Sequence, residues 1–314
     1  MNMLETDVGK IHLQNPVLCA SGCFGHAFEV AEYTNLSKIG AVTIKTVTLE
    51  SKKGNPPPRI HEIRSGILSS IGMQNPGIDV YMRDIIPKVQ QVLRPDQFFL
   101  SIAGGCEEDY IRLAEKVSDT YDRSQIAALE VNTACPNVQC GGGTIAKDAK
   151  LLYNILSHIV KYSRLSVVAK ISTDFDDFCE SAKAAEAAGV QAVYTANTPV
   201  GMGINIKTGL PVTGRIKAPL NGPVVKPIGI RKTWDLYHAV KVPIIASGGV
   251  CCAEDVIEYM MAGATAVGIG AANFVDPNIA EKIVNDLEQY VVEHNLKSIS
   301  EIIGLTDKVL KKEF

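Results

Sequence analysis

Short apolar runs alternate with helical patterns along the whole chain. Each run is nearly continuous in hydrophobicity, which is typical of parallel strands that are buried on both faces. The stretches between the runs, such as residues 174–188 and 253–262, have helical spacing. The runs span residues 15–22, 41–46, 98–104, 129–136, 167–172, 192–198, 243–250 and 266–272.

Eight such strand–helix units predict an α/β fold, a closed (β/α)8 TIM barrel. A doubly wound sheet in two domains is the alternative, but no Ser-rich or Pro-rich linker divides the chain. A single barrel domain accommodates all 314 residues. We therefore predict one domain over residues 1–314.

Two long stretches, residues 50–79 and 201–229, interrupt this rhythm. Both follow predicted strands, on the side where a barrel builds its site. Loops of this length inside a compact domain are usually lids or binding loops. A disordered surface insertion is the alternative, but the apolar residues Ile67, Leu68 and Ile71 argue against it. We predict long loops over the C-terminal face of the barrel.

Composition and charge exclude several classes of function. A net charge of −3 offers no electrostatic footprint for nucleic acid. No basic amino-terminal region precedes a long apolar stretch, which predicts a cytoplasmic protein with no membrane segment. The eight cysteines include no C-x-x-C pair, so we expect free thiols and no metal site.

The segment Asn132-Thr-Ala-Cys-Pro-Asn137 closes one apolar run and places a thiol and two carboxamides at the end of a predicted strand. A thiol can move a proton, and amides can hold a planar polar ring. Pro136 fixes the turn that presents these groups. The alternative interpretation of Cys135 is a buried cysteine before a turn.

Cationic and glycine-rich strand ends indicate an anionic ligand. Lys45 and Lys170 end apolar runs, where each is either a solvent-facing rim residue or a ligand contact. Gly248, Gly249 and Gly270 follow the last two runs. Glycines there let backbone N–H groups approach a phosphate, although glycine also serves tight turns. A phosphorylated cofactor fits these features best.

Motifs along nearly the whole chain resemble the class 1 dihydroorotate dehydrogenases, and the chain is most similar to the subclass 1B catalytic subunit. The matching segments are Asn15-Pro16, Ala20-Ser-Gly22, Lys45-Thr-Val-Thr-Leu-Glu50, Gly54-Asn-Pro-Pro-Pro-Arg59, Ser70-Ile-Gly72, Gln74-Asn-Pro-Gly77, Asn132, Cys135-Pro-Asn137, Ala196-Asn-Thr198, Ser247-Gly-Gly-Val250 and Ala262-Gly-Ala-Thr265.

The resemblance implies an FMN-binding barrel that oxidises (S)-dihydroorotate to orotate in de novo pyrimidine synthesis. Hydride would pass to flavin N5, with Cys135 as the general base and Lys45 as a second catalytic residue. The implied FMN-binding residues are Ala20, Ser21, Gly22, Lys45, Thr46, Ser101, Asn132, Lys170, Gly222, Gly248, Gly249, Gly270 and Ala271. The implied substrate-binding residues are Lys45, Ser69, Gly72, Met73, Asn132, Asn137, Asn197 and Thr198.

The chain departs from the family pattern at Ser69, where the family has a substrate-binding asparagine. A hydroxyl is shorter than a carboxamide and offers one donor instead of two. A related dihydropyrimidine substrate such as dihydrouracil is therefore an alternative to dihydroorotate, and a non-catalytic FMN-binding scaffold is a further one. The resemblance also implies a homodimer core and a separate FAD and iron–sulfur (2Fe-2S) subunit that passes electrons to NAD.

Overall fold

A closed barrel of eight parallel strands forms the centre of the molecule, which confirms the predicted TIM barrel. The structure, a computed structural model, describes residues 2–134, 139–140, 143–196 and 198–313. The barrel order is β3-β4-β7-β8-β11-β12-β15-β16, closed by β16 on β3. The strands, numbered along the chain, are β1 (Thr6–Val8), β2 (Ile11–Leu13), β3 (Val17–Cys19), β4 (Ala41–Thr43), β5 (Ile60–Ile63), β6 (Gly66–Ser69), β7 (Phe98–Ile102), β8 (Ala128–Asn132), β9 (Gln139–Cys140), β10 (Gly143–Thr144), β11 (Ser166–Ser172), β12 (Ala192–Ala196), β13 (Val200–Gly201), β14 (Ala218–Asn221), β15 (Ile244–Ser247) and β16 (Ala266–Ile269).

Helices cover the outside of the barrel between successive strands. In α3 the buried residues Tyr110, Leu113 and Val117 lie one turn apart on the face that meets the barrel. The crossover from β3 to β4 differs, since its only helix is the 3-10 turn Leu36–Lys38. The α-helices are α1 (Ile78–Val80), α2 (Ile86–Val89), α3 (Glu107–Thr120), α4 (Ala149–Tyr162), α5 (Phe178–Ala187), α6 (Lys226–Ala239), α7 (Ala253–Met261), α8 (Ile279–Glu293) and α9 (Leu305–Glu313), with a π-helical turn at Tyr81–Ile85.

The β1–β2 hairpin closes the amino-terminal end of the barrel. Its residues Val8, Ile11 and Leu13 are buried in one cluster with interior residues of the strands, such as Phe99 and Tyr194. This end of the barrel is therefore packed with apolar side chains, and polar groups gather at the opposite end.

The two long stretches that the sequence analysis treats as loops contain a second small sheet. Strands β13, β14, β6 and β5 pair antiparallel in that order. The predicted long loops over the C-terminal face therefore carry strands of their own, which residues 60–69 and 200–221 form by pairing across a long sequence separation. The sheet delivers the carboxyl ends of β6 and β14 to the mouth of the barrel, where Ser69 and Asn221 border the same cavity.

Within the described residues, we find no helix that is both long enough and apolar enough to cross a membrane. The assignment of the whole chain, residues 1–314, to one domain stays a prediction.

Candidate functional site

A cavity of about 270 Å³ lies at the carboxyl ends of the barrel strands. Its wall combines residues that directly follow barrel strands with residues of the small antiparallel sheet. The lining residues are Ala20, Ser21, Gly22, Cys23, Lys45, Thr46, Ser69, Ile71, Met73, Asn132, Ala134, Lys170, Thr198, Pro219, Asn221, Gly222, Val225, Ser247, Gly248, Gly249, Gly270 and Ala271.

A chain of hydroxyl groups runs from one wall of the cavity into the barrel interior. Ser21 donates to the carbonyl of Ile44 at 2.9 Å, and its oxygen lies 3.0 Å from Thr46 Oγ1. Thr46 Oγ1 lies 2.8 Å from Ser101 Oγ, which donates to Glu130 Oε1 at 2.7 Å. Because Ser21 and Ser101 already donate their hydroxyl protons elsewhere, Thr46 donates to one of these two hydroxyls. These hydrogen bonds fix the orientation of the side chains in this wall.

Glu130 and Lys170 form a buried ion pair at the inner end of this series of hydroxyl groups. Lys170 Nζ lies 3.5 Å from Glu130 Oε1, and the Glu130 side chain is fully buried. The Lys170 ammonium also sits 4.6 Å from the ring centroid of Tyr194, a cation–π distance. Among the described residues, Glu130 Oε2 has no hydrogen-bond partner. Buried charges require partners, so Glu130 anchors a lysine that reaches the cavity.

Lys45 borders the cavity from a different strand end, and the structure holds its backbone on both sides. Its N–H donates to the carbonyl of Gly25 at 3.0 Å, and Tyr81 donates its phenolic proton to the Lys45 carbonyl. Tyr81 is fully buried. A second cation is therefore placed at the cavity by a fixed stretch of backbone.

One thiol lines the cavity in the described part of the chain, and it is Cys23, which the sequence analysis did not single out. Burial raises the pKa of the Cys23 thiol, although the charges of Lys170 and Lys45 oppose this shift. Cys23 is therefore a protonated thiol near neutral pH. The predicted base Cys135 lies outside the described residues.

Glycines form one end of the cavity. Gly222, Gly248 and Gly249 have φ values of +103°, +123° and +77°, a region that side-chain-bearing residues rarely adopt. A Cβ atom on Gly249 would lie 2.8 Å from the backbone nitrogen of Lys226, the first residue of α6. The absence of side chains here opens the backbone to a ligand, as phosphate sites require.

Ser69 and Asn221 form a polar contact on the small sheet. The Asn221 side-chain nitrogen donates to Ser69 Oγ at 3.0 Å and to the carbonyl of Pro219 at 3.1 Å. Both residues line the cavity. Ser69 was predicted from the sequence and Asn221 was not, because nothing in the local sequence indicates that these two strands pair.

The structure brings most of the predicted site residues to this one cavity. Ser101 lies beneath it, fully buried, and touches Thr46 and Glu130. Gly72 lines an adjoining cleft of about 750 Å³ that shares Ser69, Ile71, Met73 and Pro219 with the cavity. The predicted residues Cys135, Asn137 and Asn197 lie outside the described residues. Glu130 was missed, although a lone carboxylate inside an apolar strand is a signal of a buried pair.

A parallel barrel with a polar, lysine-lined cavity over the carboxyl ends of its strands defines a barrel enzyme. The dihydroorotate dehydrogenase family model matches residues 3–291. The chain therefore belongs to the dihydroorotate dehydrogenase family, whose members are oxidoreductases.

Curated relatives agree over nearly the whole length of the chain. The dihydroorotate dehydrogenase B (NAD(+)) catalytic subunit of Thermoanaerobacter pseudethanolicus is 38% identical over 301 residues, which cover 96% of this chain and 98% of the relative. The protein of the same name from Desulforudis audaxviator is 39% identical and covers 95% of each chain. That from Parabacteroides distasonis is 36% identical and covers 98% of this chain and 99% of the relative. The resemblance to the subclass 1B catalytic subunit is confirmed.

Proposed function

We propose that this chain binds FMN in the cavity and oxidises dihydroorotate to orotate in pyrimidine synthesis. The observation that carries the proposal is a single cavity lined by Lys170, which is paired with the buried Glu130, by a second lysine, Lys45, and by glycines at one end. The relatives named as dihydroorotate dehydrogenase B subunits support the choice of reaction.

The residues present fit FMN in three respects. Gly248, Gly249 and Gly270 line one end of the cavity without side chains, which leaves backbone accessible where a phosphate would lie. Ser21, Thr46 and Asn132 supply hydroxyl and amide groups for the polar edge of a flavin ring. Lys170, anchored by Glu130, supplies the positive charge that favours electron-rich flavin.

FMN would supply a two-electron acceptor for the hydride that leaves C6 of the substrate. The chain supplies the remaining functions. Cys135 removes the proton from C5, so that the two C–H bonds broken leave one C=C bond in the product. Lys45, Asn132 and Thr198 bind the substrate at the cavity, together with Asn137 and Asn197.

We propose that electrons leave through a separate FAD and iron–sulfur subunit to NAD, in the cytoplasm. The names of the relatives, which specify a catalytic subunit and NAD(+), support this route. We also propose a homodimer core. Exposed apolar side chains on the segment between β13 and β14 support an interface there; these include Met202, Ile206, Leu210 and Ile216.

A second candidate is the oxidation or reduction of another pyrimidine such as dihydrouracil or uracil, because Ser69 replaces a family asparagine. The non-catalytic FMN scaffold is the weakest of the three, since the lysines at the cavity are retained.

The test is the visible spectrum of the purified protein without oxygen, before and after addition of dihydroorotate and, separately, dihydrouracil. We expect bleaching of a flavin band by dihydroorotate. Bleaching by dihydrouracil alone would favour the second candidate, and a flavin band that neither compound bleaches would favour the scaffold. The absence of a flavin band after incubation with FMN would contradict the cofactor assignment. Cys135→Ala is the matched variant, which should keep the flavin and lose its reduction.

A further inference from the structure

Asn221 and Ser69 lie on neighbouring strands and face the same way. In the antiparallel β6–β14 pair, Asn221 lies opposite Ile67, and Ser69 is two residues further along β6. Side chains two residues apart on a strand share a face, and such diagonal neighbours are within reach of each other. Their hydrogen bond at 3.0 Å shows that they meet.

The backbone around Asn221 is tightly fixed. A Cβ atom on Gly66 would lie 2.0 Å from the Asn221 carbonyl oxygen, and one on Gly222 would lie 2.6 Å from Gly66 Cα. The two chain segments are therefore in direct contact, with no room for a side chain between them. A carboxamide on such a rigid segment is well placed for recognition.

The hydrogen bonds of the pair leave a defined set of groups for a ligand. The carbonyl of Pro219 can only accept, so it fixes the nitrogen of the Asn221 amide on its side. The second N–H of that amide donates to Ser69 Oγ. Among the described residues, nothing donates to Asn221 Oδ1 and nothing accepts the proton of the Ser69 hydroxyl. The pair therefore offers one acceptor and one donor.

One acceptor beside one donor is the complement that a single carboxamide presents. It matches an adjacent N–H and C=O on the edge of a pyrimidine ring. The family pattern places a carboxamide at position 69, and here that position holds a hydroxyl bonded to a carboxamide from the neighbouring strand.

We propose that Asn221 is the carboxamide that recognises the pyrimidine ring, with Ser69 as its positioning residue and donor partner. This inference rests on the proposed function and deepens it. The recognising amide has moved from β6 to β14, so Ser69 marks a relocated contact and not a changed substrate. The contact is to the ring, which orotate and uracil share.

The experiment measures binding of orotate and of uracil to the FMN-loaded enzyme, from the change each causes in the flavin spectrum, together with KM and kcat. The variants are Asn221→Ala, Ser69→Ala and the double variant, with exposed Asn154→Ala as the control. Asn221→Ala should weaken orotate binding about 10- to 100-fold, and uracil binding, where the wild type shows it, by the same factor. KM should rise with kcat largely retained, and FMN content should match the control.

Two further variants make the result decisive. Ser69→Ala should have a smaller effect, and the double variant should be no worse than Asn221→Ala, since the two residues act as a unit. The exchange S69N/N221S should restore orotate binding to within a few-fold of the wild type. Should Asn221→Ala fail to fold, Asn221→Ser serves the same comparison.

Wild-type binding in Asn221→Ala would overturn the recognition role while leaving the proposed function intact. Additive effects of Ser69→Ala and Asn221→Ala would overturn the coupling between them. A wild-type protein that holds FMN but binds neither orotate nor uracil would remove the proposed function, and this role with it.

Discussion

Glu130→Gln tests whether the buried carboxylate is what holds Lys170 at the cavity. An amide keeps the shape of the side chain, and its oxygen still accepts from Ser101, so the hydroxyl chain is preserved. Only the charge disappears. Lys170 then loses the anionic partner that now lies 3.5 Å from its Nζ atom.

The magnitude follows from this distance and from burial. Two unit charges 3.5 Å apart attract by roughly 5 kcal/mol at an effective dielectric constant of about 20. The desolvation of the fully buried Glu130 offsets part of this attraction, but removing one partner leaves the other charge buried alone and costs about 3–5 kcal/mol. We expect the free energy of unfolding of the apoprotein to fall by about 3 kcal/mol, at the lower end of this range, because the amide still interacts with the ammonium. At about 2 °C per kcal/mol, the melting temperature should fall by about 6 °C.

The assay is thermal unfolding of the apoprotein, with exposed Glu293→Gln as the control variant. The double variant Glu130→Leu with Lys170→Met should regain most of the lost stability, because a well-packed apolar pair avoids both desolvation penalties. In FMN-loaded Glu130→Gln, the uncompensated charge of Lys170 should raise the reduction potential of the flavin.

Two results would refute this reasoning. Glu130→Gln could unfold at the same temperature as Glu293→Gln, which would mean that the ion pair contributes nothing net. Alternatively, the flavin potential could fall, which would mean that Lys170 no longer reaches the flavin without its carboxylate.

Three further predictions concern other parts of the structure. Gly249→Ala should lower FMN affinity at least about tenfold, because its Cβ would lie 2.8 Å from the backbone nitrogen of Lys226 and would displace the backbone that lines the cavity. Gly209→Ala is the control, with a similar φ of +71° but nothing within 4 Å of its Cβ, and it should leave FMN affinity unchanged. Equal effects of the two variants would contradict the close-approach argument. Bound FMN should protect Cys23 from alkylation at pH 8.5, measured by peptide mass spectrometry with Cys179 as the internal reference, and equal labelling with and without FMN would place the cofactor elsewhere. Hydrogen bonds to the Trp234 carbonyl and to Asp307 raise the pKa of His238, so the stabilisation by His238 is complete below about pH 6.5 and is lost as pH rises through the raised pKa. The melting temperature of His238→Gln should therefore lie below that of the wild type at pH 5.5 and equal it by pH 8.5. A difference that stays constant with pH would count against this linkage.

All eight barrel strands could be predicted from the sequence because each is a buried, nearly uninterrupted apolar run. The small antiparallel sheet could not, because its strands carry no such signal. Strand β5 (Ile60–Ile63) is exposed along its whole length, and β14 pairs with β6 across about 150 residues of chain. Sequence patterns report burial and periodicity, and neither indicates which distant segments pair.

The candidate site likewise contains residues that could be predicted from the sequence and residues that could not. Lys45, Lys170 and the late glycines were predictable, because strand ends in a barrel converge at one face. Asn221 was not, since its position depends on the β6–β14 pairing and on the tight contact with Gly66. Cys23 lacks a distinguishing pattern and became notable only once burial and its two neighbouring lysines were known.

The closure of β16 on β3 has a consequence for the order of events during synthesis. Leu18, near the start of the chain, pairs with Gly268, so the barrel cannot close until about residue 270 has left the ribosome. Lys45 and Gly249 reach the same cavity from opposite ends of the sequence. We therefore expect the cofactor to bind only after nearly the whole chain has been synthesised. Binding would come late in folding, because the barrel depends on long-range contacts, which are slow to form.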